Sequence, residues 1–205
     1  MRNGLWSLKT VNIRDYADDK HKTVDDTVFG GGSGMLMKPD IVANSLDKNI
    51  SKGEKIFYLS PKGKKFNQSF ANSLSKQNGI NLICGHFEGV DDRLLSTRNI
   101  EEISIGDYVL SGGETAAFVI LDAVLRLIPG VLGNKESIKD ETFENSLLEY
   151  PQFAKPKIWE GKSVPDVLFS GDHAKIKSWR LSQSEDITRR QRPDLWEKYL
   201  KDKKQ

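Results

Sequence analysis

A mostly parallel α/β sheet followed by a small helical domain is the fold class this sequence predicts. Short apolar runs alternate with helical stretches, each run stops at a turn signal, and the texture changes after Gly133. Residues 55–59, 81–84 and 107–110 read as buried strands, and they meet Ser60-Pro61, Gly85 and Ser111-Gly112-Gly113 in turn. Residues 114–128 are apolar nearly all round and stop at Pro129-Gly130, the pattern of a core helix. Residues 134–144 are polar and charged. Beyond them stand Pro151, Pro156, Pro165 and Pro193 with short amphipathic stretches such as 174–181. The expected organisation is therefore a domain over 1–132, a linker over 133–144 and a helical domain over 145–205. Ligands of parallel sheets sit outside the carboxyl ends of the strands, so the turns are the place to search.

Composition excludes several classes. A chain of 205 residues can bury a core without staples, and its single cysteine, Cys84, makes no internal disulfide. The longest apolar run, near Ala116, falls far short of the ~20 residues of a membrane span, and the first residues lack the apolar core of a signal peptide. A cytoplasmic protein without membrane partners is expected. His21, His86 and His173 are scattered and share no ligand spacing with Cys84, so no metal site is expected. A Gly-x-Ser-x-Gly elbow is also lacking. The net charge is only +2, but residues 175–205 hold ten Lys/Arg against five acids, among them Arg189, Arg190 and Arg192. With Trp179, Trp196 and Tyr199 between them, these charges suit either RNA phosphates beside stacking rings or a solvated helical face.

Four loops carry the candidate chemistry. Gly30-Gly31-Gly32-Ser33-Gly34 permits close backbone approach to a ligand, but it lacks the Lys-Ser/Thr of a P-loop and the GxGxxG spacing, and a flexible connector has the same composition. Tyr58-Leu59-Ser60-Pro61-Lys62-Gly63, the stretch from Cys84 to Asp91, and the stretch from Ser104 to Glu114 expose backbone amides and carbonyls able to read an adenine edge. Glu88 is available to a ribose or an ammonium group. Ordinary structural turns look alike.

These residues, taken in order, resemble the bacterial tRNA (guanine-N1)-methyltransferase family of the trefoil-knotted SPOUT class. The likeness runs through Thr23-Val24-Asp25-Asp26 and the glycine loop to Met35, the three turns, Ile128-Pro129-Gly130-Val131-Leu132-Gly133, and Val164-Pro165 through Gly171-Asp172-His173 to Trp179-Arg180-Leu181. The resemblance implies a deep trefoil knot and a methyl group passed from S-adenosylmethionine to N1 of the guanosine that follows the anticodon. It implies cofactor contacts at Tyr58, Leu59, Ser60, Pro61, Gly85, Glu88, Gly89, Ile105, Gly106, Asp107, Tyr108, Val109, Leu110, Gly112 and Gly113. It also implies tRNA contacts at Gly30, Gly31, Gly34 and Ser137, beside Arg189, Arg190 and Arg192, and a homodimer with sites between subunits.

Methylating a protonated ring nitrogen requires a general base and a cation near the guanine oxygen. By resemblance the cation is Arg126, although Asp122 stands four residues earlier and an i,i+4 pair is the alternative. Glu141 occupies the position of the family's aspartate base, with Asp140 beside it as the other candidate. Phe87 and Ala116 stand where relatives commonly carry Tyr and Pro, and both keep an apolar wall. Relatives also begin earlier, with an apolar strand and a helix, so the sheet is expected to be a strand short. A silent RNA-binding protein of this fold, or a methyltransferase for another RNA base, are the competing functions.

Overall fold

The computed structural model describes residues 4–32, 34–131, 143 and 145–204. The chain divides into two compact units, Met1–Gly133 and Asn134–Gln205.

In the first unit a short antiparallel hairpin, β1 (Asp25–Thr27) and β2 (Met35–Met37), is turned by the glycine loop. Helix α1 (Pro39–Asn49) starts with proline in its first turn, where the missing N–H costs nothing. There follow β3 (Ile56–Lys65), α2 (Gln68–Ser75), β4 (Asn81–Ile83), α3 (Asp92–Thr97), β5 (Glu101–Ser104) and α4 (Glu114–Leu125). Asn67 caps α2 by accepting from the Phe70 amide at 2.9 Å, and Asp91 caps α3 by accepting from the Arg93 amide at 3.0 Å.

The sheet runs β4-β3-β5, and both pairings are parallel. Its central strand is apolar at four successive residues because both faces are covered. Ile56 and Tyr58 pack with Val42 and Leu46 of α1 and Leu94 of α3, while Phe57 and Leu59 pack with Ala71 and Leu74 of α2 and Ile120 of α4.

Three element expectations need correction. The third strand lies at Glu101–Ser104, not at 107–110. Ile103 is buried at 1% exposure, whereas Val109 is 88% exposed, and Gly106, at φ +155°, turns the chain out of the sheet first. The strand expected over 55–59 continues to Lys65. Leu59 and Lys64 are both in register with Ile103, so residues 60–63 bulge outward before pairing resumes. The helix expected to reach Ile128 ends at Leu125, where the amides of Leu127 and Ile128 bond the carbonyls of Val124 and Leu125, three residues back.

In the second unit a two-residue hairpin, β6 (Ile158–Trp159) and β7 (Lys162–Ser163), turns through Glu160 and Gly161, both at positive φ. Helix α5 (His173–Gln191) is capped by Asp172, which accepts from the Ala174 and Lys175 amides, and α6 (Pro193–Asp202) packs against it. Tyr199 donates to Glu185 across that pair at 2.6 Å. Thr188, fully buried, accepts from the Leu148 amide at 2.8 Å and donates to the Ser184 carbonyl at 2.6 Å. Among the described residues, no helix is long and apolar enough to cross a membrane.

Candidate active site

The three turns singled out in the sequence meet at the carboxyl ends of β3, β4 and β5. Tyr58, Leu59 and Ser60 are buried at the end of the apolar part of β3, and Pro61 opens the bulge. The Tyr58 ring fills the space that glycines leave in the second turn: a Cβ on Gly85 would stand 2.7 Å from it, and one on Gly89 would stand 2.6 Å from its hydroxyl. Burial raises the Tyr58 hydroxyl above its ordinary pKa. The second and third turns are joined directly, since the Gly113 amide donates to the Gly85 carbonyl at 3.0 Å. A Cβ on Gly113 would lie 2.7 Å from the Cys84 Cα, an approach open only to glycine.

A second link was not legible in the sequence. His86 Nε2 lies 2.7 Å from Glu114 Oε1, and since a carboxylate only accepts, the ring donates. This hydrogen bond holds Glu114 below the ordinary carboxylate range. The pair closes over Gly112, where a Cβ would meet Glu114 Oε2 at 2.7 Å and the His86 ring at 2.9 Å. The glycine loop is also tied in on one side. The Glu88 amide donates to the Met35 carbonyl at 2.9 Å, the Met37 amide to the Gly89 carbonyl at 2.9 Å, and Gly34 lies against the Glu88 side chain.

Around this junction the third turn is apolar and uncovered. Tyr108, Val109 and Leu110 are exposed, Asp107 is exposed beside them, and Phe87 projects from the second turn. The Ser104 hydroxyl donates to the Gly106 carbonyl at 3.2 Å and fixes the start of the loop beside Ile105. Glycine backbone, apolar walls and the exposed carboxylate of Glu88 suit an adenosine carrying an amino-acid moiety. By contrast, burial pushes the Cys84 thiol up to about 11, so it remains a protonated packing group. A cleft of about 630 Å³ runs along the outer edge of β4, between α1, α4 and the segment 8–14, and it reaches His86, Phe87 and Glu114. It therefore meets the junction at the His86–Glu114 pair, although Tyr58, Gly85 and Gly113 do not line it.

The remaining predicted residues are not gathered here. Arg126 caps the far end of α4, thirteen residues beyond Gly113 and therefore about 20 Å away at ~1.5 Å per residue. Its amide bonds the Asp122 carbonyl. Gly30 and Gly31 sit at an open tip, at φ +91° and +88°, with nothing near the place of a Cβ. Arg189, Arg190 and Arg192 belong to the second unit, where Asp186 pairs with the first two at 2.9 and 2.8 Å and Asp194 with the third at 2.6 Å. Ser137, Asp140 and Glu141 lie outside the described residues.

Glycine-bearing turns at the carboxyl ends of a parallel sheet covered by helices on both faces define a protein of the α/β class, with its candidate ligand site at those turns. The family model for tRNA (Guanine-1)-methyltransferase TrmD matches residues 1–198. The chain is 73% identical over 201 residues to the tRNA (guanine-N(1)-)-methyltransferase of Pelagibacter ubique (strain HTCC1062), covering 98% of this chain and 88% of that protein. It is 53% identical to the protein of that name from Brucella canis (strain ATCC 23365 / NCTC 10854 / RM-666) and 52% identical to that from Brucella ovis (strain ATCC 25840 / 63/290 / NCTC 10512). Both comparisons cover all of this chain, and respectively 83% and 84% of the relative. The chain belongs to the tRNA (guanine-1)-methyltransferase family.

Proposed function

We propose that this protein methylates N1 of the guanosine 3′ to the anticodon in tRNA, with S-adenosylmethionine as donor. The observation that carries the reading is the junction of the three turns, sealed by the Gly113–Gly85 hydrogen bond and floored by Tyr58. The cofactor, when bound, supplies an electrophilic methyl group on a sulfonium. The backbone of 58–61, 85–89 and 105–113 holds its adenosine, and Glu88 is placed to meet its ammonium group. Arg126 offsets the charge that gathers on the guanine oxygen, and Glu141, or Asp140 beside it, removes the N1 proton.

In this reading residues 1–132 form the knotted cofactor domain, 133–144 the linker, and 145–205 the tRNA-binding domain of a cytoplasmic homodimer. The bulge at 60–63, which passes close enough to β5 for Gly63 to touch the backbone of Glu102 and Ile103, supports a chain crossing there. Two observations support the dimer. Arg126 and Gly113 stand at opposite ends of α4, which favours a cation brought to the cofactor by a second copy. The outward face of α4 is apolar, with Phe118 70% exposed and Val119 46% exposed, an arrangement suited to burial against a second copy. Incubating the protein with methyl-labelled cofactor and bulk tRNA, then identifying the modified nucleoside, tests the reading. N1-methylguanosine is expected, and another nucleoside or an unlabelled tRNA contradicts it.

A further inference from the structure

The second unit holds a cleft of about 880 Å³ with aromatic walls and a cationic rim. Phe153 and Trp179 form one wall, their ring centroids 6.4 Å apart and their planes at 47°. In the same lining the Arg180 guanidinium lies 4.8 Å over the Tyr150 ring. A guanidinium stacked by its face keeps its N–H edge free for an anion. Lys155 stands on the same rim. Among the described residues, neither Lys155 nor Arg180 has a carboxylate within ion-pair distance. That separates them from Arg189, Arg190 and Arg192, whose charge is already met by Asp186 and Asp194.

Flat ring faces beside uncompensated cations match a ligand that carries both a π face and a phosphate. A base within a duplex is stacked on its neighbours and cannot enter, whereas an unpaired base can. The volume is that of a small-molecule pocket, ample for one nucleotide. An acidic peptide would satisfy the cations but leave Phe153, 47% exposed, uncovered. We propose that this cleft holds an unpaired nucleotide of the tRNA, its base against Phe153 and Trp179 and its phosphate on Lys155 and Arg180. The proposal rests on the tRNA-methyltransferase reading and adds to it a specific nucleotide site in the second unit, apart from the arginines of α5.

The test uses the full chain with Trp6, Trp159 and Trp196 replaced by Phe, which leaves Trp179 as the only tryptophan. A single-stranded hexaribonucleotide of mixed sequence is expected to quench Trp179 fluorescence, and a duplex of the same composition is not. Phe153→Ala should weaken the single-strand affinity about tenfold, in the range of one lost base stack. The Lys155→Ala/Arg180→Ala double variant should flatten its salt dependence. Equal quenching by duplex or by a pentaglutamate peptide, absence of quenching, or an unaffected Phe153→Ala would overturn the proposal. The readout needs no methyl transfer. An inactive protein quenched by the single strand would therefore defeat the methyltransferase reading alone, and an active enzyme without quenching would defeat the cleft alone.

Discussion

Gly113 is the residue on which the candidate cofactor site turns. Its Cα faces Cys84 so closely that Gly113→Ala must push the second and third turns apart, and overpacking of this kind costs about 1–3 kcal/mol. Calorimetry should find S-adenosylmethionine affinity reduced about tenfold or more in a folded Gly113→Ala protein, since that cost would fall on the bound geometry. Unchanged affinity would place the cofactor elsewhere. Arg126→Ala and Glu141→Ala should instead abolish turnover with little change in cofactor affinity, because both groups are proposed to act on guanine. If Asp140→Ala is inactive and Glu141→Ala active, the base is Asp140.

A titration gives a third residue-level prediction. Hydrogen bonds from Arg192 hold Asp194 down from its ordinary 3.8 to about 2. Because the folded value is the lower one, the pair's contribution to stability is complete above 3.8 and disappears as the pH falls through about 2. Carboxyl-carbon NMR should follow this titration and should find Asp194 back near its ordinary value in Arg192→Ala. An Asp194 that titrates alike in both proteins would mean that the pair does not form in solution.

Among the elements, Thr188 makes a similar test of packing. It is fully buried and joins the Leu148 amide to α5, so Thr188→Val removes the acceptor from a half-buried N–H, a loss of about 1–3 kcal/mol. A melting temperature lower by several degrees is expected for this unit, and an unchanged one would show that water replaces the bond. Legibility differed among the elements for physical reasons. β3 and β4 were visible because burial on both faces makes them continuous apolar runs. β5 was hidden because an edge strand tolerates Glu101 and Glu102, while the apolar stretch beyond it belongs to an exposed loop. The three turns were recognisable as loops from spacing, but their use came only through the family resemblance. The His86–Glu114 link joins residues 28 apart and has no local signature.

For the whole molecule, charge and assembly decide the expectations. tRNA binding should be steeply salt-dependent. Replacing Arg189, Arg190 and Arg192 by alanine should flatten the slope by less than the ~0.9 per cation of a full phosphate contact, because Asp186 and Asp194 compete for them. An unchanged slope in filter binding would move the RNA surface away from α5. The central proposal is that one copy holds the cofactor while the other supplies Arg126, since α4 keeps the two ends of the chemistry apart within one chain. Subunit complementation tests it most directly: Gly113→Ala and Arg126→Ala proteins are mixed, allowed to exchange subunits and assayed for tRNA methylation at a cofactor concentration too low to fill the Gly113→Ala site. Recovery of about a quarter of wild-type activity is predicted, the share of intact sites that random pairing gives in a two-fold dimer. A mixture that exchanges subunits and stays inactive would contradict it.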